Sequence, residues 1–168
     1  MSETLRTLPV SLADLRQLAG EQRLFAVLDA CDAPPILAKV GELGASRALC
    51  LYRGPVAPEI LAVAPYLVMI DEEVLQWLTA TVWSEPWGIF VVAKLELEAV
   101  RKHLRKFLVV KGPDGETMYF RYYDPRVLPA FLATCNKEEL SRFYGDLQAF
   151  GYGDGAVPGQ GFMLHMNY

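Results

Sequence analysis

The sequence predicts one α/β domain, a mixed parallel and antiparallel sheet flanked by helices, with a late β-hairpin. Three observations lead there. Strand-length apolar runs alternate with amphipathic stretches through the first half of the chain, the pattern of parallel crossovers. The turn signal Gly112-Pro-Asp-Gly115 then separates two further apolar runs, the pattern of an antiparallel hairpin. Finally, 168 residues at 52% hydrophobic and 21% charged are enough for one real core and too apolar for disorder. The division is a helical segment over 1–22, the α/β domain proper over 23–150, and a glycine-rich tail over 151–168 with a candidate edge strand.

Each element has a local reason. Ser11-Leu-Ala-Asp14 is a capping signal, followed by Leu12, Leu15 and Leu18 on one helical face and Gly20 as the stop. Leu24–Leu28 is a short buried strand ended by Asp29. Pro34 and Pro35 open a helix that closes at Gly41 and Gly44. Ala48–Tyr52 is a strand ending in Arg53-Gly-Pro55, a short helix runs over Glu59–Val63, and Tyr66–Ile70 is the third strand. Asp71 caps a helix with Glu72 and Glu73 in its first turn, where the dipole favours them. Its apolar stripe is Val74, Leu75, Leu78 and Val82. Ile89–Ala93 makes a fourth strand.

The clearest helix carries Leu97, Val100, Leu104 and Phe107 at helical spacing, acidic residues at its start and Arg101, Lys102, Arg105 and Lys106 toward its end. Phe107–Lys111 and Thr117–Tyr123 form the hairpin. Its second strand puts Met118, Phe120 and Tyr122 on one side and ends at Asp124-Pro125, an N-cap followed by the favoured first helical residue. Pro129 limits that helix to about one turn. Asn136 with Glu139 is a second capping box, for a helix bearing Leu140, Phe143 and Tyr144. Gly151–Gly161 reads as a loop, and Phe162–Tyr168 as a short edge strand.

Composition excludes several functions. A net charge of −4 and a pI of about 5.2 argue against a nucleic-acid binder, which needs a cationic footprint. No apolar run reaches the roughly 18 residues of a membrane span, and the N-terminal residues lack the basic-then-apolar pattern of a secretory signal. Cys31, Cys50 and Cys135 have no metal-ligand or CxxC spacing and read as buried reduced thiols of a cytosolic protein. No metal or cofactor is implied. There is no nucleophile elbow, Walker loop or dinucleotide loop. His103 falls on the exposed side of a basic helix, and His165 falls near a chain end. Asp29 and Asp124 both end strands and are the one carboxylate pair that can be drawn for acid–base work.

The candidate binding residues are arginines and aromatics. Arg53 and Arg121 end or interrupt apolar strands, which predicts half-buried guanidiniums tied to a carboxylate or carbonyl. Arg121 and Arg126 bracket the Asp124 corner and either tie it down or present a recognition surface. Trp77 and Trp83 read as core, whereas Trp87, between Pro86 and Gly88, is a candidate for partial exposure and partner contact. An alternative reading is an enzyme or sensor that binds a small anion through Arg53, Arg121 and Arg126. It requires the three guanidiniums to converge on one pocket.

Several landmarks then occur together and in order: Leu24-Phe-Ala-Val-Leu-Asp-Ala30, Tyr52-Arg-Gly54, Ala64-Pro-Tyr-Leu67, Trp87-Gly-Ile-Phe90, His103-Leu-Arg-Lys-Phe-Leu108 and Tyr119-Phe-Arg-Tyr-Tyr-Asp-Pro-Arg-Val-Leu128, with Thr134-Cys135 and Glu138-Glu-Leu140 after them. The set resembles the adaptor (chaperone) domain of bacterial type VI secretion, long catalogued as a domain of unknown function, from about Leu24 to Phe150. The resemblance implies a non-enzymatic cytoplasmic protein. It would bind a secreted effector, often by the effector's N-terminal region, and assist its loading onto the spike protein. On that reading Tyr52, Arg53, Trp83, Trp87, Arg121 and Arg126 are the candidate partner-binding residues. Many members continue into a variable second lobe, where here a glycine-rich tail follows Phe150.

Overall fold

A computed structural model describes residues 5–153 and 162–167. In chain order the strands are β1 (Leu5–Val10), β2 (Leu24–Asp29), β3 (Ala48–Cys50), β4 (Pro65–Met69), β5 (Gly88–Val92), β6 (Val109–Lys111), β7 (Thr117–Tyr119), β8 (Ala149–Gly153) and β9 (Phe162–Asn167). The helices are α1 (Leu12–Gly20), α2 (Pro34–Leu43), α3 (Pro58–Leu61), α4 (Glu72–Trp77), α5 (Leu97–Leu104), α6 (Leu128–Thr134) and α7 (Lys137–Tyr144). A π-helical turn, Leu78–Val82, prolongs α4, and a 3₁₀ turn, Arg105–Phe107, prolongs α5.

Seven strands form one sheet in the order β1-β9-β8-β5-β2-β4-β3, and every neighbouring pair is antiparallel. The expected parallel pairing is therefore wrong, for a specific reason. The connections from β2 to β3 and from β4 to β5 are helical crossovers, as the alternation predicts, but each skips a position. β4 lies between β2 and β3, and β2 lies between β4 and β5, so strands that run the same way never touch.

The sheet is the middle of three layers. Alternate residues of β2 serve opposite faces, as strand geometry requires. Leu24, Ala26 and Leu28 pack with α1, α2, α4 and the π turn through Leu15, Ile36, Val74 and Leu78. Phe25 and Val27 pack with α5, α6 and α7 through Val100, Leu104, Leu132 and Phe143. All six β2 residues are buried as a result. Burial on both faces gives a continuous apolar run, which is common in parallel sheets but is here the signature of a covered antiparallel one.

Three predicted caps hold. Ser11 and Asp14, and likewise Asn136 and Glu139, form reciprocal capping boxes, and Asp71 accepts the Val74 N–H at 2.8 Å. Gly88 opens β5 at φ 145°, and a Cβ there would lie 1.8 Å from the Val27 carbonyl oxygen, so only glycine lets β5 close on β2.

Other expectations are corrected. The N-terminal segment is not only helical, since β1 precedes α1 and pairs with β9. Gly151–Gly153 belong to β8, while the rest of the predicted loop, 154–161, lies outside the described residues. β9 is not an edge strand: it is held between β1 and β8, and β1 is the edge on that side of the sheet. His165 is accordingly buried rather than at a loose end. Its ring shares hydrogen bonds with the Thr7 hydroxyl at 3.0 Å and the Tyr152 hydroxyl at 3.3 Å, and burial lowers its pKa. His103 is half-buried, with Nε2 donating to the Phe143 carbonyl at 2.7 Å and its ring against Gly145, where a Cβ would approach to 2.4 Å. The β6–β7 hairpin forms as predicted but as a separate two-stranded sheet, and β7 stops at Tyr119 instead of running to Tyr123.

The Candidate Charged Corner

The corner is built where β2 ends. Asp29 is the last residue of that strand; its N–H donates to the Trp87 carbonyl at 2.8 Å, and its carboxylate accepts the Cys31 N–H at 3.0 Å. This turn sends the chain into α2. After the hairpin, residues 121–127 fold into successive turns rather than continuing a strand: the Asp124 N–H donates to the Arg121 carbonyl at 3.0 Å. Tyr122 and Tyr123 are both buried, so the predicted one-in, one-out alternation fails here. The Tyr122 hydroxyl donates to the Leu104 carbonyl at 2.9 Å and anchors the segment to the end of α5.

Asp124 caps a turn, not a helix. Its carboxylate accepts the Arg126 N–H at 2.8 Å, and its carbonyl accepts the Val127 and Leu128 N–H groups. Helix α6 begins only at Leu128, and Pro129 sits in its first turn, where proline's missing N–H costs nothing. Pro129 thus helps to start the helix that it was expected to interrupt.

Two ion pairs meet at this corner. The Arg121 guanidinium donates to Asp29 and lies over the Tyr123 ring, 5.8 Å from its centroid. Arg126 grips Asp124 with two parallel bonds, Nε to Oδ1 at 2.9 Å and Nη2 to Oδ2 at 2.8 Å. Both carboxylates are buried, at 8% and 10% side-chain exposure, while the arginines stand at 45% and 72%. Each guanidinium is tied at one end and open to solvent on the rest of its surface. The two carboxylates also feel each other and titrate differently. Burial raises Asp29, and the Cys31 N–H and Arg121 offset this only in part. The Arg126 side chain, against a smaller cost of burial, holds Asp124 below the usual carboxylate range.

Arg121 and Arg126 line a cleft of about 580 Å³ together with Asp29, Thr81, Glu85 and Trp87. Trp87 is buried at 3% exposure, which overturns its expected protrusion: the proline turn folds the indole inward, edge-on to Phe90 at 4.9 Å and 6.1 Å from Trp83, itself buried. Tyr52 is half-buried beside the corner, hydrogen-bonded to the Tyr123 side chain that lies under Arg121, with its ring 5.5 Å from that of Tyr119.

Arg53 does not join the other two arginines. It is exposed, and it lines separate cavities with Lys102 and Arg105 and with Lys106 and Tyr119. The tied guanidinium expected at the end of β3 is supplied instead by Arg105, which donates to the carbonyls of Cys50 at 3.1 Å, Leu51 at 3.0 Å and Tyr52 at 3.0 Å. Sequence reading missed Arg105 because its helix spacing marks it as solvated. The convergence that the anion-binding reading requires is thus not what the fold provides. Among the described residues there is also no cluster of three or more His, Cys, Asp or Glu placed to hold a metal ion, and no helix is long and apolar enough to cross a membrane.

The family model described as "Domain of unknown function (DUF4123)" matches residues 24–142, more than half of the chain. The chain belongs to this family. The matched span of the DUF4123 domain holds both ion pairs, the cleft, the hairpin and α5. It stops short of β1, β8 and β9, the three strands on one side of the sheet. No curated protein and no solved structure matches the chain.

Proposed function

We propose that this DUF4123 chain is a non-enzymatic cytoplasmic adaptor, or chaperone, that binds a type VI secretion effector and assists its loading onto the spike protein. The observation that carries the reading is the ordered motif set between Leu24 and Leu140, which resembles the type VI adaptor domain and coincides with the matched span. The charged corner supports it. Its carboxylates are engaged by arginines and backbone N–H groups, and what faces solvent is guanidinium surface above a cleft. Arginine held in a fixed orientation is a favoured interface residue, because little side-chain entropy is lost on binding.

In this reading Arg121 and Arg126 contact the partner directly. Tyr52 and Arg53 contribute from the neighbouring surface, and Trp83 and Trp87 support the cleft from beneath. The test is affinity purification of the tagged chain from its native host, paired with deletion of its gene. Enrichment of an effector or a spike subunit, with loss of delivery of that effector on deletion, is the expected result. Recovery of neither, with delivery intact, would sink the reading.

A further inference from the structure

The second cationic region is unlike the corner. Helix α5 and its 3₁₀ extension present Lys102 and Lys106 to solvent, with Arg53 beside them in the adjoining cavities. None of these three has an ion-pair partner among the described residues, in a chain whose net charge is −4. Of the bordering carboxylates, Glu98 is already paired with Arg101 at 2.7 Å, and Asp146 lines a cavity with Lys102 and Lys106. Crowded like charges are costly to maintain unless something relieves them.

The hairpin adjoins this patch. All six residues of β6 and β7 are exposed, among them Val109 at 47%, Val110 at 41%, Met118 at 46% and Tyr119 at 68%. It is a two-stranded sheet apart from the main one, with large apolar side chains in water. The two features meet in one groove of about 370 Å³, lined by Arg53, Lys106 and the carbonyl-bound Arg105 together with Val109 and Tyr119. A groove lined by both cations and apolar side chains complements a chain that carries both carboxylates and apolar groups.

We propose that the face formed by α5, Arg53 and the β6–β7 hairpin binds an acidic polypeptide segment of a partner protein, its carboxylates on Arg53, Lys102 and Lys106 and its apolar side chains on Val109 and Tyr119. A nucleic acid fits less well, because the whole chain is acidic and the hairpin wall offers no cation to a phosphate backbone beyond Lys111. This inference deepens the adaptor reading by stating the partner's chemistry. Its test uses synthetic probes, so that its failure and the failure of the adaptor reading are separate results.

Fluorescence anisotropy would follow three labelled probes against the full chain: a peptide alternating glutamate with valine and tyrosine, the same peptide with lysine for glutamate, and a single-stranded DNA oligonucleotide. The expected result is saturable binding of the acidic peptide that weakens severalfold between about 50 and about 300 mM salt. Binding of the lysine peptide should be at least about tenfold weaker, as should binding of the acidic peptide by a Lys102→Glu/Lys106→Glu variant. A Lys102→Gln/Lys106→Gln variant, checked by circular dichroism, gives an intermediate loss and guards against misfolding. Three outcomes would overturn the proposal: no saturable acidic-peptide binding up to about 1 mM, equal or tighter binding of the lysine peptide or the oligonucleotide, or unchanged affinity in both folded variants.

Discussion

The charged corner and the α5–hairpin face draw on the same residue types and use them oppositely. At the corner, arginines meet buried carboxylates at fixed geometry, and the chain folds around them. On the α5–hairpin face, lysines and an arginine stand without carboxylate partners among the described residues, beside exposed valine, methionine and tyrosine. The difference lies in what each charge does for the fold. A guanidinium over a buried carboxylate offsets the cost of its burial and helps hold its turn closed, so removing the arginine leaves a buried carboxylate without that partner. An exposed lysine contributes little to folding, so its placement is free to serve something else.

Gly88→Ala puts a methyl group onto the Val27 backbone directly below the corner, where the neighbour cannot yield. We expect a loss of about 3 kcal/mol or more in chemical denaturation, or no folded protein. A melting temperature close to the parent's would show that β5 can shift and that the corner is not rigidly seated. Next in size is Asp29→Ala. It strips Arg121 and the Cys31 N–H of their shared acceptor, and urea unfolding should report a loss of about 2 kcal/mol. An unchanged midpoint would place Arg121 with the free cations of the other face.

Asp124→Ala should cost about 1 kcal/mol, since the turn that it closes is exposed on one side and its arginine is well hydrated. Its pH dependence has a definite sign. The folded-state pKa lies below the ordinary aspartate value of 3.8, chiefly through the Arg126 side chain. The stabilisation is therefore present above that value and is lost as pH falls through the lower folded value. Parent and Asp124→Ala stabilities should differ at neutral pH and converge only in acid, as pH falls below 3.8; a constant gap would show that the carboxylate's charge is irrelevant to the turn. The smallest expected effect is on the other face, where Lys102→Glu/Lys106→Glu should stay within about 0.5 kcal/mol of the parent. A larger loss would make that face structural too and remove the contrast.

Much of the architecture was legible locally. Ser11 with Asp14, Asn136 with Glu139, and Asp71 all sit where capping chemistry put them. Their partners lie within a few residues and need no knowledge of the rest of the fold. The strands β2, β4 and β5 and the Gly112–Gly115 turn were equally clear from composition. Strand neighbours were not. The alternation of strand and helix is compatible with β3 lying against β2 or one position beyond it, and only the packing of β4 between them decides. Trp87 was misread for a related reason, because a proline turn specifies a change of direction without saying which side of the chain faces the core.

The sequence by itself thus determined most of the elements, the caps at Ser11, Asp71 and Asn136, the hairpin and the family resemblance, since each rests on residues adjacent in the chain or on an ordered motif set. Tertiary structure alone decided that the sheet is antiparallel throughout, that β9 is inserted between β1 and β8, and that Arg121 finds Asp29, which lies 92 residues away in the chain. It also decided that Arg105, rather than Arg53, holds the carbonyls at the end of β3. The physical reason is the same in each case. A cap or turn is satisfied by its neighbours, whereas a strand edge or a buried carboxylate takes whichever partner the packed helices bring within reach.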